Sequence, residues 1–199
     1  MLRLLGRATS GNVQKVVWAL EEMGLDYERE DYGRQFGNTG GDYLQLNPMG
    51  KVPTLIDGET VVWESNTILR YLANTNGGKF YPADPVKRAW VERWMDWQLA
   101  SVNGPYVSVF KDSKKEPGER SPSFEADAKE LSGLMRILND AIEPAGFLPE
   151  EGLTLADLCL GPIVNRCLNF PIDTEGLDTL AAWRDAMAER PAFGKGVIG

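Results

Sequence analysis

The first third of the chain alternates between two hydrophobic periods. Residues 2–6, Leu-Arg-Leu-Leu-Gly, read as a short strand. After the turn Thr9-Ser10-Gly11-Asn12, apolar side chains recur at Val13, Val16, Val17, Leu20 and Met23. That is the spacing of an amphipathic helix. Gly24 stands where a left-handed residue would end it. Residues 27–32 fit a second strand. Strand, helix and strand in this order require a crossover and usually give a parallel pair. Residues 33–41 are polar and Gly-rich, hence a loop, and 42–46 are at most a short helix. The runs 54–56 and 60–63 flank Asp57-Gly58-Glu59, a hairpin signal. Residues 65–73 read as a helix with Ile68, Leu69 and Leu72 inward. The order β-α-β then β-β-α is that of a thioredoxin-like fold.

The pattern changes after Ala73. Asn-Thr-Asn-Gly-Gly, then Pro82 and Pro85, make a connection, and no convincing strand follows. One long helix is expected from Pro85 to about Lys111, with Pro in its first turn. Trp90, Trp94 and Trp97 share one face of it, for packing against another part of the fold or a second copy, or else for a wall of a ligand pocket. Tyr106 and Phe110 continue one face further along. Residues 111–122 are charged and contain Pro and Gly. Further helices are expected over 123–142, 153–168 and 178–190. Thr154 and Asp157 form a capping box, with Leu153 and Leu158 as its hydrophobic staple. Gly161-Pro162 should kink or loosen that helix. The fold class is therefore α/β plus all-α. A thioredoxin-like domain over 1–78 and a linker over 79–84 precede an all-helical bundle domain over 85–199.

Composition narrows the function. The chain has 199 residues, 43% hydrophobic and 25% charged, as in an ordinary globular protein. Its net charge of −8 argues against a nucleic-acid partner, which needs a basic face. No apolar run reaches the length of a membrane span, and the N-terminal residues are too short a run for a signal-peptide core. A cytoplasmic protein is the default expectation. There is no histidine, which removes Ser-His-Asp and Cys-His catalysis and most zinc sites; no metal site is expected. Cys159 and Cys167 are eight apart in a helical stretch, too far along a helix for a disulfide, and read as small buried hydrophobes.

The chemistry concentrates in Asn47-Pro48-Met49-Gly50-Lys51-Val52-Pro53-Thr54-Leu55 and, further on, Trp63-Glu64-Ser65-Asn66. A proline heading a strand leaves a backbone edge unpaired, a setting in which cis X-Pro bonds occur. A helix starting at Ser65 offers an anion site. Together they suit the backbone and carboxylate of an extended peptide. The combination Lys-Val-Pro with Glu-Ser resembles the glutathione-binding half of the glutathione S-transferase superfamily, and the resemblance covers nearly the whole chain.

The resemblance implies glutathione as co-substrate, a hydrophobic electrophile as second partner, and a homodimer. Val52, before a cis Pro53, would meet the cysteinyl backbone of glutathione. Glu64 would meet the γ-glutamyl ammonium and Ser65 its carboxylate. Lys51 is placed by the motif for the glycine carboxylate. A histidine that often helps there in theta-like members is missing, leaving Gln35, Arg34 or nearby backbone to substitute. Ser10-Gly11-Asn12-Val13 is similar to Ser-type bacterial and theta-like transferases, which gives Ser10 the thiolate contact; in nu-like members the equivalent of Asn12 contributes, and Thr9 is a third candidate. The same serine and asparagine would equally serve as helix caps. No tyrosine or cysteine stands in this loop. A conjugating transferase is the expected activity. A glutathione-dependent disulfide reductase or peroxidase, and a non-catalytic binding module of the same fold, are its rivals.

Overall fold

The computed structural model describes residues 1–197; the last two residues of the expected helical span lie outside the described residues. Strands β1 (Leu2–Leu5), β2 (Tyr27–Glu30), β3 (Thr54–Asp57) and β4 (Thr60–Trp63) form one mixed sheet of order β2-β1-β3-β4. β1 and β2 are parallel, with Leu2 opposite Tyr27 and Leu5 opposite Glu30. β3 runs antiparallel to both neighbours, placing Leu4 opposite Leu55 and Thr54 opposite Trp63. The crossover from β1 to β2 is helix α1 (Gly11–Met23), ended by Gly24 in the left-handed conformation. Helix α2 (Tyr43–Leu46) precedes β3, and α3 (Ser65–Thr75) follows β4 directly. This is the expected thioredoxin-like arrangement.

Beyond residue 84 the described chain is helical. Asp84 caps α4 (Pro85–Trp97), accepting from the Val86 and Lys87 amides at 3.0 and 2.9 Å. The single long helix expected here widens into a π-type turn over Gln98–Val102 before α5 (Asn103–Asp112). Pro105, near the start of α5, has no N–H to return to the carbonyl four residues earlier, and the wider turn sits just ahead of it. Helices α6 (Phe124–Ala141), α7 (Leu155–Cys167) and α8 (Asp178–Ala188) match expectation to within two residues at each end. The sequence pattern did not suggest the short α9 (Pro191–Gly196), which Arg190 and Pro191 open.

Two expectations are corrected. First, α1 is buried on nearly all sides rather than on one apolar face: Gln14, Lys15, Trp18 and Ala19 are enclosed along with the valines. Helices α3, α7 and α9 pack around it. Phe193 of α9 meets the Trp18 ring edge-on at 4.9 Å. Gly196 allows this approach, since a Cβ there would sit 2.7 Å from the Trp18 amide nitrogen. Second, α7 runs helically through Gly161-Pro162. Gly161 serves close packing instead: a Cβ at that position would lie 2.5 Å from Trp18 Cζ3. One continuous buried cluster thus extends from Leu4 and Leu55 through Trp18 to Leu158 and Leu180, with no break between the two parts.

The capping box of α7 forms as expected. The Asp157 carboxylate accepts from the Thr154 amide and hydroxyl at 2.9 and 2.6 Å, and also from the Trp183 indole at 3.0 Å. Both cysteines are free and buried. Trp94 packs on Trp97 and Phe147, whereas Trp90 is half exposed beneath the Arg93 guanidinium.

Candidate functional site

The loop that leaves β1 turns back on itself at Ser10, whose amide donates to the Arg7 carbonyl at 3.1 Å. Ser10 occupies the N-cap position of α1, yet its side chain makes no capping bond. Ser10 lines a cleft where the sheet's C-terminal edge meets α5 and α7. The residue is 8% exposed. The capping alternative for Ser10 is therefore not the one the side chain takes. Thr9, Gly11 and Asn12 line the same cleft. Gly11 is closely packed here: a Cβ would lie 3.0 Å from the Tyr106 hydroxyl oxygen.

Asn12 connects this loop to the second motif: its Oδ1 accepts from the Ser65 hydroxyl at 3.3 Å. Ser65 is the first residue of α3 and is buried. Glu64, before it, holds φ at +67° with an exposed side chain. A non-glycine residue there is strained, and such strain collects at binding sites. The Val52–Pro53 peptide bond is cis. The ladder between β1 and β3 stops at Leu5 opposite Thr54, so the Val52 amide and carbonyl take no part in it. The chain before Val52 is anchored from behind: Tyr43 and Asn47 both donate to the Lys51 carbonyl, at 2.7 and 2.8 Å. Ser10, Asn12, Ser65, Glu64 and Val52 thus belong to one end of the sheet. Lys51 is exposed at its margin. Gln35 is exposed in a short 3-10 turn, Arg34–Phe36, and does not line the cleft; its neighbour Arg34, at φ +46°, does.

The opposite wall comes from the helical part. Tyr106 and Phe110 of α5 stack with centroids 6.1 Å apart, and Phe170 closes on both. Arg166 of α7 donates to the Thr9 carbonyl at 2.9 Å, to Gln14 at 3.0 Å and to the Tyr106 hydroxyl at 3.2 Å. It therefore fixes the Ser10 loop from across the cleft. Trp90, Trp94 and Trp97 do not line this wall. The cleft itself is small, about 110 Å³. A larger hollow of about 510 Å³ lies elsewhere, near Phe80, Arg88 and Arg190. Its arginines are already engaged, Arg190 with Glu22 and Arg88 with the Pro82 carbonyl. It holds none of Ser10, Asn12, Lys51, Val52, Glu64 and Ser65.

Beneath the cleft lies a polar group that the sequence pattern did not disclose. Lys15 of α1 is fully buried and donates to Gln98 at 2.7 Å and, more weakly, to Asn66 at 3.4 Å. The Cys159 thiol donates to the same two oxygens, at 3.6 and 3.2 Å. Burial lowers the Lys15 pKa and raises that of Cys159. Arg7, Arg166 and this buried set had no motif to mark them, because each acquires its setting from residues far along the chain.

A thioredoxin-like sheet with an unpaired backbone before a cis proline, joined to a helical bundle that closes over it, defines the class of glutathione-binding-fold proteins. Comparison with known proteins makes the assignment specific. The family model described as "Glutathione S-transferase, N-terminal domain" matches residues 2–74. Glutathione S-transferase GstB of Escherichia coli K12 is 33% identical over 204 residues, covering 100% of this chain and 98% of the relative. The disulfide-bond oxidoreductase YfcG of the same organism is 28% identical, covering 96% of this chain and 92% of YfcG. The crystal structure of the theta class glutathione S-transferase from Xanthomonas axonopodis pv. citri with glutathione bound superposes with a TM-score of 0.90 at 34% identity, covering 100% and 97% of the two chains. The chain belongs to the glutathione S-transferase family.

Proposed function

We propose that this protein binds glutathione along Val52 and activates its thiol at Ser10 for attack on an electrophile held against α5 and α7. The observation that carries the reading is the setting of Ser10: it lines the cleft at the N-terminus of a 13-residue helix, and its side chain makes no capping bond. The γ-glutamyl ammonium would pair with Glu64 and the adjoining carboxylate with Ser65 and the α3 amides. Val52 would exchange backbone bonds with the cysteinyl residue, and Lys51 would meet the glycine carboxylate.

That pose brings the sulfur to the start of α1. A thiolate there gains from the helix terminus, by about 0.3–1 kcal/mol, and from a hydroxyl donor, by about 1.5 kcal/mol. Each unit of pKa lowering corresponds to about 1.4 kcal/mol, so one to two units are within reach. The thiol proton leaves to solvent. The sulfur then forms its bond to the electrophilic carbon as the leaving group departs with its electron pair. Holding both reactants in one cleft supplies the rest by proximity.

The domain division at 78 and 85, a homodimer and a cytoplasmic setting belong to the same proposal. Exposed Val61 and Trp63 on edge strand β4 are compatible with a covered face. Among the described residues no helix is long and apolar enough to cross a membrane. A second reading, glutathione-dependent disulfide reduction, is favoured by the likeness to YfcG and by Asn12, whose amide sits in the cleft beside Ser65. Thiolate absorbance against pH, measured with bound glutathione, decides the donor. Ser10→Ala should raise the thiol pKa while glutathione still binds. If only Asn12→Ala moves the titration, Asn12 takes the role.

A further inference from the structure

The acceptor side of the cleft carries an unusual charge for this protein. The chain as a whole is at −8. Yet the cleft is lined by Arg7, Arg34 and Arg166, and by no acidic residue. Most of the ion pairs among the described residues join an arginine to a carboxylate; none of these three arginines takes part in one. Arg34 and Arg166 both approach the Phe110 ring, at 5.1 and 5.4 Å from its centroid, one from the β2 loop and one from α7. Arg7 is half-buried and its Nε is enclosed without a hydrogen-bond partner. Gly33 is pressed onto the same guanidinium: a Cβ there would come within 2.8 Å of Nη1. Burial, and then Arg34 and Arg166, lower the Arg7 pKa. Three like charges are thus gathered around one small aromatic hollow and left without a counter-charge. Groups so placed are stabilised by an anion that enters with its own oxygens.

We propose that the electrophile this enzyme accepts carries its own carboxylate, set among Arg7, Arg34 and Arg166, on an aromatic or short apolar body lying against Tyr106 and Phe110. The inference rests on the transferase reading above. The other source of the same chemistry is glutathione's glycine carboxylate. In the pose above, however, glycine is assigned to Lys51, whereas Arg34 and Arg166 lie against the Phe110 ring, on the side given to the acceptor.

The test is steady-state kinetics on a matched pair, para-(chloromethyl)benzoate and para-(chloromethyl)benzamide. The two differ in charge at the end remote from the reacting carbon. In both, the glutathione sulfur bonds to the benzylic carbon, chloride leaves with the bonding pair, and the thiol proton passes to solvent. The wild-type protein is expected to prefer the benzoate by about tenfold in kcat/KM. Arg7→Gln and Arg34→Gln should each remove most of that preference, and Arg7→Lys should keep part of it. Equal use of the two compounds by the wild type overturns the proposal. So do arginine variants that lower both rates alike, or that raise KM for glutathione with the preference unchanged, which would assign the guanidiniums to glutathione itself. If neither compound turns over and calorimetry shows no glutathione binding, the transferase reading falls, and this inference with it.

Discussion

The two walls of the cleft are made in different ways. The wall formed by the sheet edge comes from residues close in sequence: Val52 and Pro53 open β3, and Glu64 and Ser65 open α3 one hairpin later. It offers mostly backbone groups and one strained residue. The opposite wall is assembled from Tyr106, Phe110 and Arg166 of the helices together with Arg7 and Arg34 of the loops after β1 and β2, four separate stretches of chain. It offers side chains, chiefly cations and aromatic rings. Backbone recognition demands a local conformation, so its residues cluster into a readable motif. Side-chain recognition demands only that distant helices meet at the right distance. Under the proposed function, the peptide co-substrate would take the first wall and the acceptor the second.

The comparison breaks most visibly where the helices are pressed together. Gly161→Val would drive a side chain into Trp18 and push α7 from α1. The expected loss is about 3 kcal/mol of stability in chemical denaturation. Because α7 carries Arg166, turnover should fall more than glutathione affinity does. Equal loss of both would show that the walls are not separable.

The sheet wall is probed by Glu64→Ala. It should leave the ammonium of glutathione unpaired and weaken binding by about 2 kcal/mol. Calorimetry reads this directly, and unchanged affinity would remove Glu64 from the site. Ser10→Ala lies at the seam between the walls. It should raise the bound thiol's pKa by about one unit, or about 1.4 kcal/mol, and slow the reaction at neutral pH with little change in affinity.

The smallest effect concerns Lys15, on which the two parts join. Its pKa is lowered by burial, so between the folded and unfolded values the unfolded chain holds more protons. Stability from this group therefore rises with pH until it levels off above the unfolded lysine value of about 10.4. Lys15→Met removes that slope. The variant's stability relative to wild type should be greatest at low pH and shift in the wild type's favour as pH climbs. Denaturation midpoints that keep a constant difference from pH 6 to pH 10 would mean that Lys15 does not titrate in this way.

The activity also tests the role of thiols. Cys159 and Cys167 are buried, and burial raises the pKa of both. The double Cys→Ala variant should keep conjugating activity if it folds. A folded variant that binds glutathione but has no turnover would point to a redox role for the helical thiols.

Sequence alone determined the elements whose signals are local. Alternating and three-to-four periods marked the strands and most helices, Asp57-Gly58-Glu59 marked the hairpin, and Thr154 with Asp157 marked the start of α7. The Val-Pro and Glu-Ser pairs marked the sheet wall, because a backbone that must stay unpaired and a helix that must start at a fixed residue constrain the residues that carry them. Tertiary structure alone decided what covers what. Nothing near Gln14, Lys15 or Trp18 in the chain announces that α7 and α9 will bury the polar side of α1. Gly161, beside Pro162, reads as a loosening of its helix until Trp18 is seen against it. Arg7 and Arg166 read as ordinary surface charges until they face each other across the cleft. Their environment is set by the distances between separate elements, and a one-dimensional period carries no information about those distances.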